Sequence, residues 1–261
     1  MIVVKFGGHA MTDENGNFAK VISAAQKVGE KVVVVHGGGP QIDAALKAKG
    51  IVSTWVGGFR VTTKEIFDVV EDVLVNQVGV EVATTLGKAG IKAQAMSART
   101  LPTVIANRRT QLIDGTPAEL GFVGNVQRVD SSALLHLIDQ GIVPVVAPIS
   151  SDEDLETGLN VNADFAAAAI AASLGASSLI VMTDVAGIYR KWPDKDSLIE
   201  TISAVELESI KSVFAEGMAP KVQAALDALS YGAKAVRIID GTDPDSFASA
   251  LAGQGGTLVV A

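Results

Sequence analysis

A chain of 261 residues that is 48% hydrophobic but only 5% aromatic must build its interior from Val, Ile, Leu and Ala, which suits stacked α/β layers around a large core. Its formal net charge of −8, from 21 basic and 29 acidic side chains, argues against non-specific binding to nucleic acid or an anionic membrane, so an anionic ligand must meet locally placed cations. The lack of cysteine excludes disulfides and thiolate metal sites, three histidines (His9, His36, His136) outside any HExxH pattern argue against a zinc hydrolase, and neither a signal-peptide pattern nor an apolar run of ~18 residues is found, which leaves a cytoplasmic protein as the expectation.

β-branched runs alternate with helix-like segments. "IVVKF" (2–6) reads as a buried strand, "VISAAQKVGE" (21–30) as a helix and "KVVVVH" (31–36) as a second buried strand. "PQIDAALKAKG" (40–50) follows as a helix, with Pro40 suited to its first turn and Gly50 to its end. "IVSTWVGGFRVT" (51–62) reads as a hairpin, and a long helix is expected from about Thr63 to Lys88. "IKAQAM", "TVIAN" and "FVGNVQRV" look like strands, the last crossing a Gly124-Asn125 hairpin turn. "SSALLHLIDQG" is helical with Ser131 as its cap, and "IVPVVAPI" is another buried strand. An Ala-rich helix after Asn162, the strand "SSLIVMT", a helix ending at Gly232, and the strands "KAVRIID" and "GTLVVA" complete the chain.

Near-continuous apolar strands separated by helices predict an α/β three-layer αβα sandwich with a central, mostly parallel sheet. A soft boundary near Ala176 divides a hairpin-rich N-terminal lobe (1–175) from a C-terminal lobe of simple β/α units (176–261). No repeat or low-complexity linker separates them, so the lobes are expected to share one sheet; a single doubly wound domain is the alternative.

Five stretches carry candidate chemistry. In "VKFGGHAM", Lys5 closes a strand ahead of Gly7 and Gly8, where a point cation and bare N–H donors would suit a phosphate; an edge lysine and an ordinary turn fit equally. "VHGGGPQI" (35–42) repeats the layout of strand, glycines and helix start, so the two loops are expected side by side, although one alone would be a plain turn. Neither is a Walker A or a G-x-G-x-x-G loop, and the protein-kinase HRD and DFG set is missing. Arg60 in "GFRVT" is either a carboxylate clamp or a solvated surface side chain. Asn160, Asn162 and Asp164 in "NVNAD" exceed what a helix cap requires. Thr183, Asp184 and Gly187 follow a buried strand as a nucleotide rim would, and Lys221 in the first turns of its helix opposes the macrodipole unless an anion is near.

Taken in order, "KFGG", "HGGG", "GFRVT", "NVNAD", "TDVAGI", "GMAPKVQAALDA" and "GGTLV" resemble the amino-acid kinase superfamily, and within it the N-acetylglutamate kinases, over essentially the whole chain. Each motif is weak alone; the ordered set is specific. The resemblance implies the carbamate kinase-like fold and transfer of the γ-phosphoryl group of ATP to the side-chain carboxylate of N-acetyl-L-glutamate, a step of arginine biosynthesis. It implies that Lys5 and Lys221 approach the transferred group from opposite sides, that Asp164 orients them, and that Gly8 and Gly38 donate backbone N–H groups. Gly38, Gly39, Arg60, Asn160 and Asn162 would hold the acetylglutamate. Thr183, Asp184, Val185, Gly187, Ile188 and Tyr189, with Phe214, Gly217 and Met218, would border ATP, and Mg²⁺ would ride mainly on the phosphates. The N-terminal lobe would then bind the acceptor and form the dimer, and the C-terminal lobe would bind ATP.

The charge problem fits this reading: two anions must be brought together, no general base is needed because a carboxylate is ionised near pH 7, and fixed donors stabilise a loose in-line transition state. His9 is read as a loop side chain rather than a further phosphate donor. The chain starts directly at its first strand, whereas arginine-inhibited hexameric relatives carry a preceding helix, so an arginine-insensitive homodimer is expected. The competing readings are a kinase for carrier-linked aminoadipate or glutamate, and a non-catalytic amino-acid sensor, against which the retention of Lys5, Asp164 and Lys221 argues.

Overall fold

The computed structural model describes residues 1–7, 16–214, 218–243 and 245–261. In chain order its elements are β1 (Ile2–Phe6), α1 (Asn17–Lys27), β2 (Val32–His36), α2 (Gly39–Ala48), β3 (Trp55–Val56), β4 (Phe59–Arg60), α3 (Lys64–Glu71), α4 (Gly79–Lys88), β5 (Ala93–Ser97), β6 (Val104–Arg108) and β7 (Val123–Val129). Then come α5 (Ser132–Asp139), β8 (Val143–Ala147), β9 (Ile149–Ser151), β10 (Gly158–Val161), α6 (Ala163–Ser173), β11 (Ser178–Thr183), β12 (Thr201–Ser203), α7 (Ala204–Ile210), α8 (Ala219–Ser230), β13 (Ala235–Asp240), α9 (Ser246–Leu251) and β14 (Thr257–Val260). No helix among the described residues is long and apolar enough to cross a membrane.

Eight strands form one sheet in the order β12-β14-β13-β11-β1-β2-β8-β5. All neighbours run parallel except β13 and β14. Strands from both sides of residue 175 meet at the β1–β11 pairing, so one sheet crosses the expected boundary. Side chains alternate faces along a strand, which explains why apolar runs such as "VVVVH" need cover on both sides. Val3, Val33 and Val35 pack under α5, α6 and α8. Ile2, Val4, Val32 and Val34 pack on the opposite face, under α1, α2, α3, α4 and α9.

A smaller unit stands against this sheet. β10, β7, β6 and β9 close on one another, and β3–β4 forms a separate hairpin. The hairpin reverses through Gly57 and Gly58, with φ of 54° and 81°, the positive values that two-residue turns favour.

Three local expectations are corrected. "FVGNVQRV" does not turn at Gly124-Asn125: β7 runs straight through them. Gly124 is there for close approach, since a Cβ would lie 2.8 Å from Val161 Cγ2 and 3.1 Å from Leu159 Cβ across the closed unit. Ser131 does not cap α5 through its side chain; Asp130 Oδ1 instead accepts from Ser132 N at 3.0 Å. The long helix after Thr63, whose Oγ1 accepts from Ile66 N, is not uniform, because a π turn over Asp72–Val78 separates α3 from α4.

Candidate active site

β1 and β2 are parallel neighbours with Phe6 opposite His36, so Lys5 and the glycines after His36 reach the same carboxyl edge of the sheet. The two loops do lie side by side: Gly37 N donates to Phe6 O at 2.8 Å, and a Cβ on Gly37 would sit 3.8 Å from Gly7 Cα. Gly8 and His9 lie outside the described residues.

Lys5 shares the strand face of Val3, which looks toward α6. Asp164 is the second residue of that helix, behind Asn162, whose Oδ1 accepts from Asp164 N at 2.8 Å as the N-cap. α8 packs beside α6 through small buried residues, among them Ala167, Ala171, Ala224 and Ala228, and this close approach carries Lys221 to Asp164. Lys221 Nζ donates to Asp164 Oδ2 at 3.2 Å. Asp164 Oδ1 lies 3.2 Å from Lys5 Nζ, so both carboxylate oxygens are paired with an ammonium group.

Burial opposes ionisation of Asp164, but Lys5 and Lys221 outweigh it and hold the carboxyl below its ordinary range. Two ammonium groups against one carboxylate leave one positive charge in a nearly dry place. The N-termini of α2, α6 and α8 add partial positive charge to the same region, and those of α2 and α8 have no side-chain cap. Such an arrangement suits an anion.

The opposite wall is built on Arg60 of β4. Its Nη1 donates to Asp43 Oδ1 at 2.7 Å and to Ser53 Oγ at 2.6 Å, and its guanidinium lies 4.5 Å from the Trp55 ring centre. Its Nη2 is buried with no partner among the described residues, so one arm of the fork is held and the other is free for a carboxylate. Asn160 Nδ2 donates to Thr62 Oγ1 at 3.2 Å, and Thr62 Oγ1 donates to Arg60 O at 2.8 Å, tying β10 to the hairpin. Between the walls is a cleft of about 300 Å³ lined by Lys5, Gly38, Gly39, Arg60, Asn160, Asn162, Asp164 and Lys221. Sequence reasoning missed the support set Asp43, Ser53, Trp55 and Thr62. Thr62 and the Trp55 ring had a signal in lying beside "GFR"; Asp43 and Ser53 had none.

The residues expected around ATP are arranged differently. None of the described ones lines the cleft around Asp164. Thr183 ends β11, and Gly187 presses on Thr257, where a Cβ would come 2.4 Å from Oγ1 and 2.9 Å from N. Ile188 N donates to that hydroxyl at 2.8 Å while its side chain is wholly buried. Asp184 is exposed, Val185 half-buried, and the Tyr189 ring meets Trp192 edge-on. Phe214 lines a second cavity of about 460 Å³, beside Lys211 and the start of α8. Met218 packs on the core, and Gly217 lies outside the described residues.

Residues 1–240 match the model of the amino acid kinase family. The chain belongs to this family. An acetylglutamate kinase of Beutenbergia cavernae is 45% identical over 247 residues, covering 94% of this chain and 79% of that relative. Among solved structures of similar proteins, smu.665 of Streptococcus mutans has a TM-score of 0.82 at 27% identity, covering 99% of this chain and 98% of its own. Carbamate kinase of Giardia, at 18% identity and a TM-score of 0.69 over 99% and 98% of the two chains, shares the fold. As a member of the amino acid kinase family, the protein is a kinase that uses ATP.

Proposed function

We propose that this kinase transfers the γ-phosphoryl group of ATP to the side-chain carboxylate of N-acetyl-L-glutamate. The observation that carries the reading is the pairing of Lys5 and Lys221 with one buried Asp164, beside the glycine run and the half-free Arg60. The acetylglutamate kinase of Beutenbergia cavernae, 45% identical over nearly the whole chain, supports the choice of acceptor.

In this reading the free arm of Arg60 and the side chain of Asn160 hold the acceptor, with Gly39 and Asn162 beside them. The acceptor's side-chain carboxylate is already ionised near pH 7 and needs no base. Its oxygen forms a bond to the γ-phosphorus as the bond from that phosphorus to the bridging oxygen breaks, and ADP leaves with the electron pair. Lys5 and Lys221 stand on either side of the moving group, and the Gly38 N–H donates to its oxygens. Asp164 keeps the ammonium groups apart and in place. Positioning and fixed charge therefore supply the catalysis.

Residues 183–189, with Phe214, Gly217 and Met218, border ATP in the same proposal. No group of three or more His, Asp or Glu side chains among the described residues is arranged to hold a metal ion, and Asp164 already serves two lysines. In the same proposal a divalent cation such as Mg²⁺ rides mainly on the ATP phosphates, where it would offset their charge. A cytoplasmic homodimer belongs to the same proposal, and light scattering on the purified protein tests the assembly.

Hydroxylamine trapping is the direct experiment. With MgATP and acetylglutamate the expected product is a hydroxamate, formed in step with ADP. ADP release indifferent to acetylglutamate would remove the assignment.

A further inference from the structure

His36 ends β2 directly before the glycine run and is wholly buried. Its Nδ1 lies 2.9 Å from the carbonyl oxygen of Gly37. A carbonyl has no proton to give, so Nδ1 carries the hydrogen and donates, leaving Nε2 bare on a neutral ring. Nε2 has no hydrogen-bond partner among the described residues and faces Gly79, where a Cβ would come within 3.0 Å of it. Burial lowers the imidazole pKa to about 4, so the ring stays neutral at ordinary pH.

The carbonyl of Gly37 and the N–H of Gly38 belong to one peptide plane, and in a trans peptide they point in opposite directions. With the carbonyl drawn back onto a buried imidazole, the N–H is turned the other way, away from the ring, and Gly38 itself lines the cleft. Beneath it lies the π turn. A Cβ at Gly38 would fall 2.6 Å from Leu74 Cδ2 and 3.4 Å from Val78 Cγ2. The bond from Gly79 N to Leu74 O that marks the π turn places these residues under the loop.

We propose that His36 is a positioning residue: through the Gly37 carbonyl it aims the Gly38 N–H at the transferred phosphoryl group, with the Asp72–Val78 π turn as backing. This rests on the phosphoryl-transfer reading of the same cleft. A donor aimed beforehand matters most in the transition state, so His36 acts on kcat and hardly on binding.

His36→Asn and His36→Gln separate this role from packing. The Asn amide stands near the place of Nδ1 and reaches the same carbonyl, whereas the Gln amide reaches toward the place of Nε2. Expected are a kcat within about fivefold of wild type for Asn and a loss of about 10–100-fold for Gln, with both KM values within about threefold. Equal kcat in the two variants, a change confined to KM, or failure of His36→Asn to fold would each overturn the proposal. If the wild-type protein shows no acetylglutamate-dependent turnover, the functional reading fails on its own. The hold on Gly38 is then read from its ¹⁵N–¹H resonance, expected to move in His36→Gln and to stay near its wild-type place in His36→Asn. The same resonance position in both variants also overturns the proposal.

Discussion

Lys221 Nζ stands 3.2 Å from Asp164 Oδ2, although 57 positions separate the two residues. Each lies in the first turn of its own helix, so the pair joins two helix starts, and Lys5 completes it from the sheet. Removing the Lys221 ammonium leaves the cleft less able to stabilise charge that develops during transfer. We expect Lys221→Ala to lower kcat by about 10²–10³ while the acetylglutamate KM changes by less than about threefold. Steady-state kinetics decide it, and a variant turning over at the wild-type rate would take Lys221 out of the mechanism.

Arg60 offers one free arm only because Asp43 and Ser53 hold the other. A lysine has all three donors on one nitrogen, so when that nitrogen is held by Asp43 and Ser53 it cannot also place a donor where Nη2 stands. Arg60→Lys should raise the acetylglutamate KM by about 10–100-fold, the value of one charge-assisted hydrogen bond, and leave the ATP KM alone. A rise in the ATP KM instead would put Arg60 on the nucleotide.

The buried imidazole of His36 gives stability a pH dependence. Its pKa is about 4 in the folded chain against 6.5 for the free side chain, so between these values the unfolded state binds more protons. Stability from this group is complete above pH 6.5 and falls as pH drops toward 4, by roughly 3 kcal/mol in all. Urea melts of wild type and His36→Asn across this window should show a steeper acid decline in wild type. Parallel curves would contradict the neutral buried ring.

Asp227 has the opposite sign for a carboxyl. Burial raises its pKa, with Gln223 and Arg109 offsetting part of the cost. The ionised form is thus disfavoured in the folded chain, and the contribution of this group is lost as pH rises through the folded pKa. Gln223 Nε2 donates to Asp227 Oδ1 at 2.8 Å, a bond that an Asn carbonyl keeps. Asp227→Asn should therefore raise the melting temperature at pH 7 and lose that advantage at pH 3. A lower melting temperature at pH 7 would show that the charge attraction to Arg109 outweighs the burial.

Gly187 tests whether the loop after β11 is built by packing. Its added Cβ would meet the backbone N of Thr257 at 2.9 Å, a neighbour fixed in β14. Gly187→Ala should cost about 1–3 kcal/mol in urea denaturation, the usual range for overpacking. An unchanged midpoint would mean that the loop shifts freely.

Much of the sheet was legible because "IVVKF", "VVVVH" and "SLIVMT" are apolar on both faces, which only a doubly covered parallel strand needs. The cluster that lines the cleft was legible because lone polar residues stood out at strand ends and helix starts: Lys5, Asn160, Asp164 and Lys221. β9 and β10 were missed because "ISS" and "GLNV" are short and mix small with polar residues, without clear alternation. Gly124 misled for a physical reason: a glycine serves tight contact as well as reversal, and only the facing Val161 and Leu159 tell which. The supports of Arg60 come from two other segments, a relation that no local pattern encodes. At Gly187 and Ile188 the structure gives a packing cause, contact with Thr257, for residues that a motif reading places at a ligand.

The placement of β1 bears on how the molecule is made. Ile2 has Val32 on one side and Ser178 on the other. β1 thus gains one neighbour early in synthesis but keeps an open edge until β11, some 175 residues further along the chain, has been made. A nascent chain halted before β11 presents a row of unpaired amides and carbonyls flanked by valines, the kind of surface that chaperones guard. The centre of the finished sheet is in this sense a late seam, after which only β12, β13 and β14 are still to join.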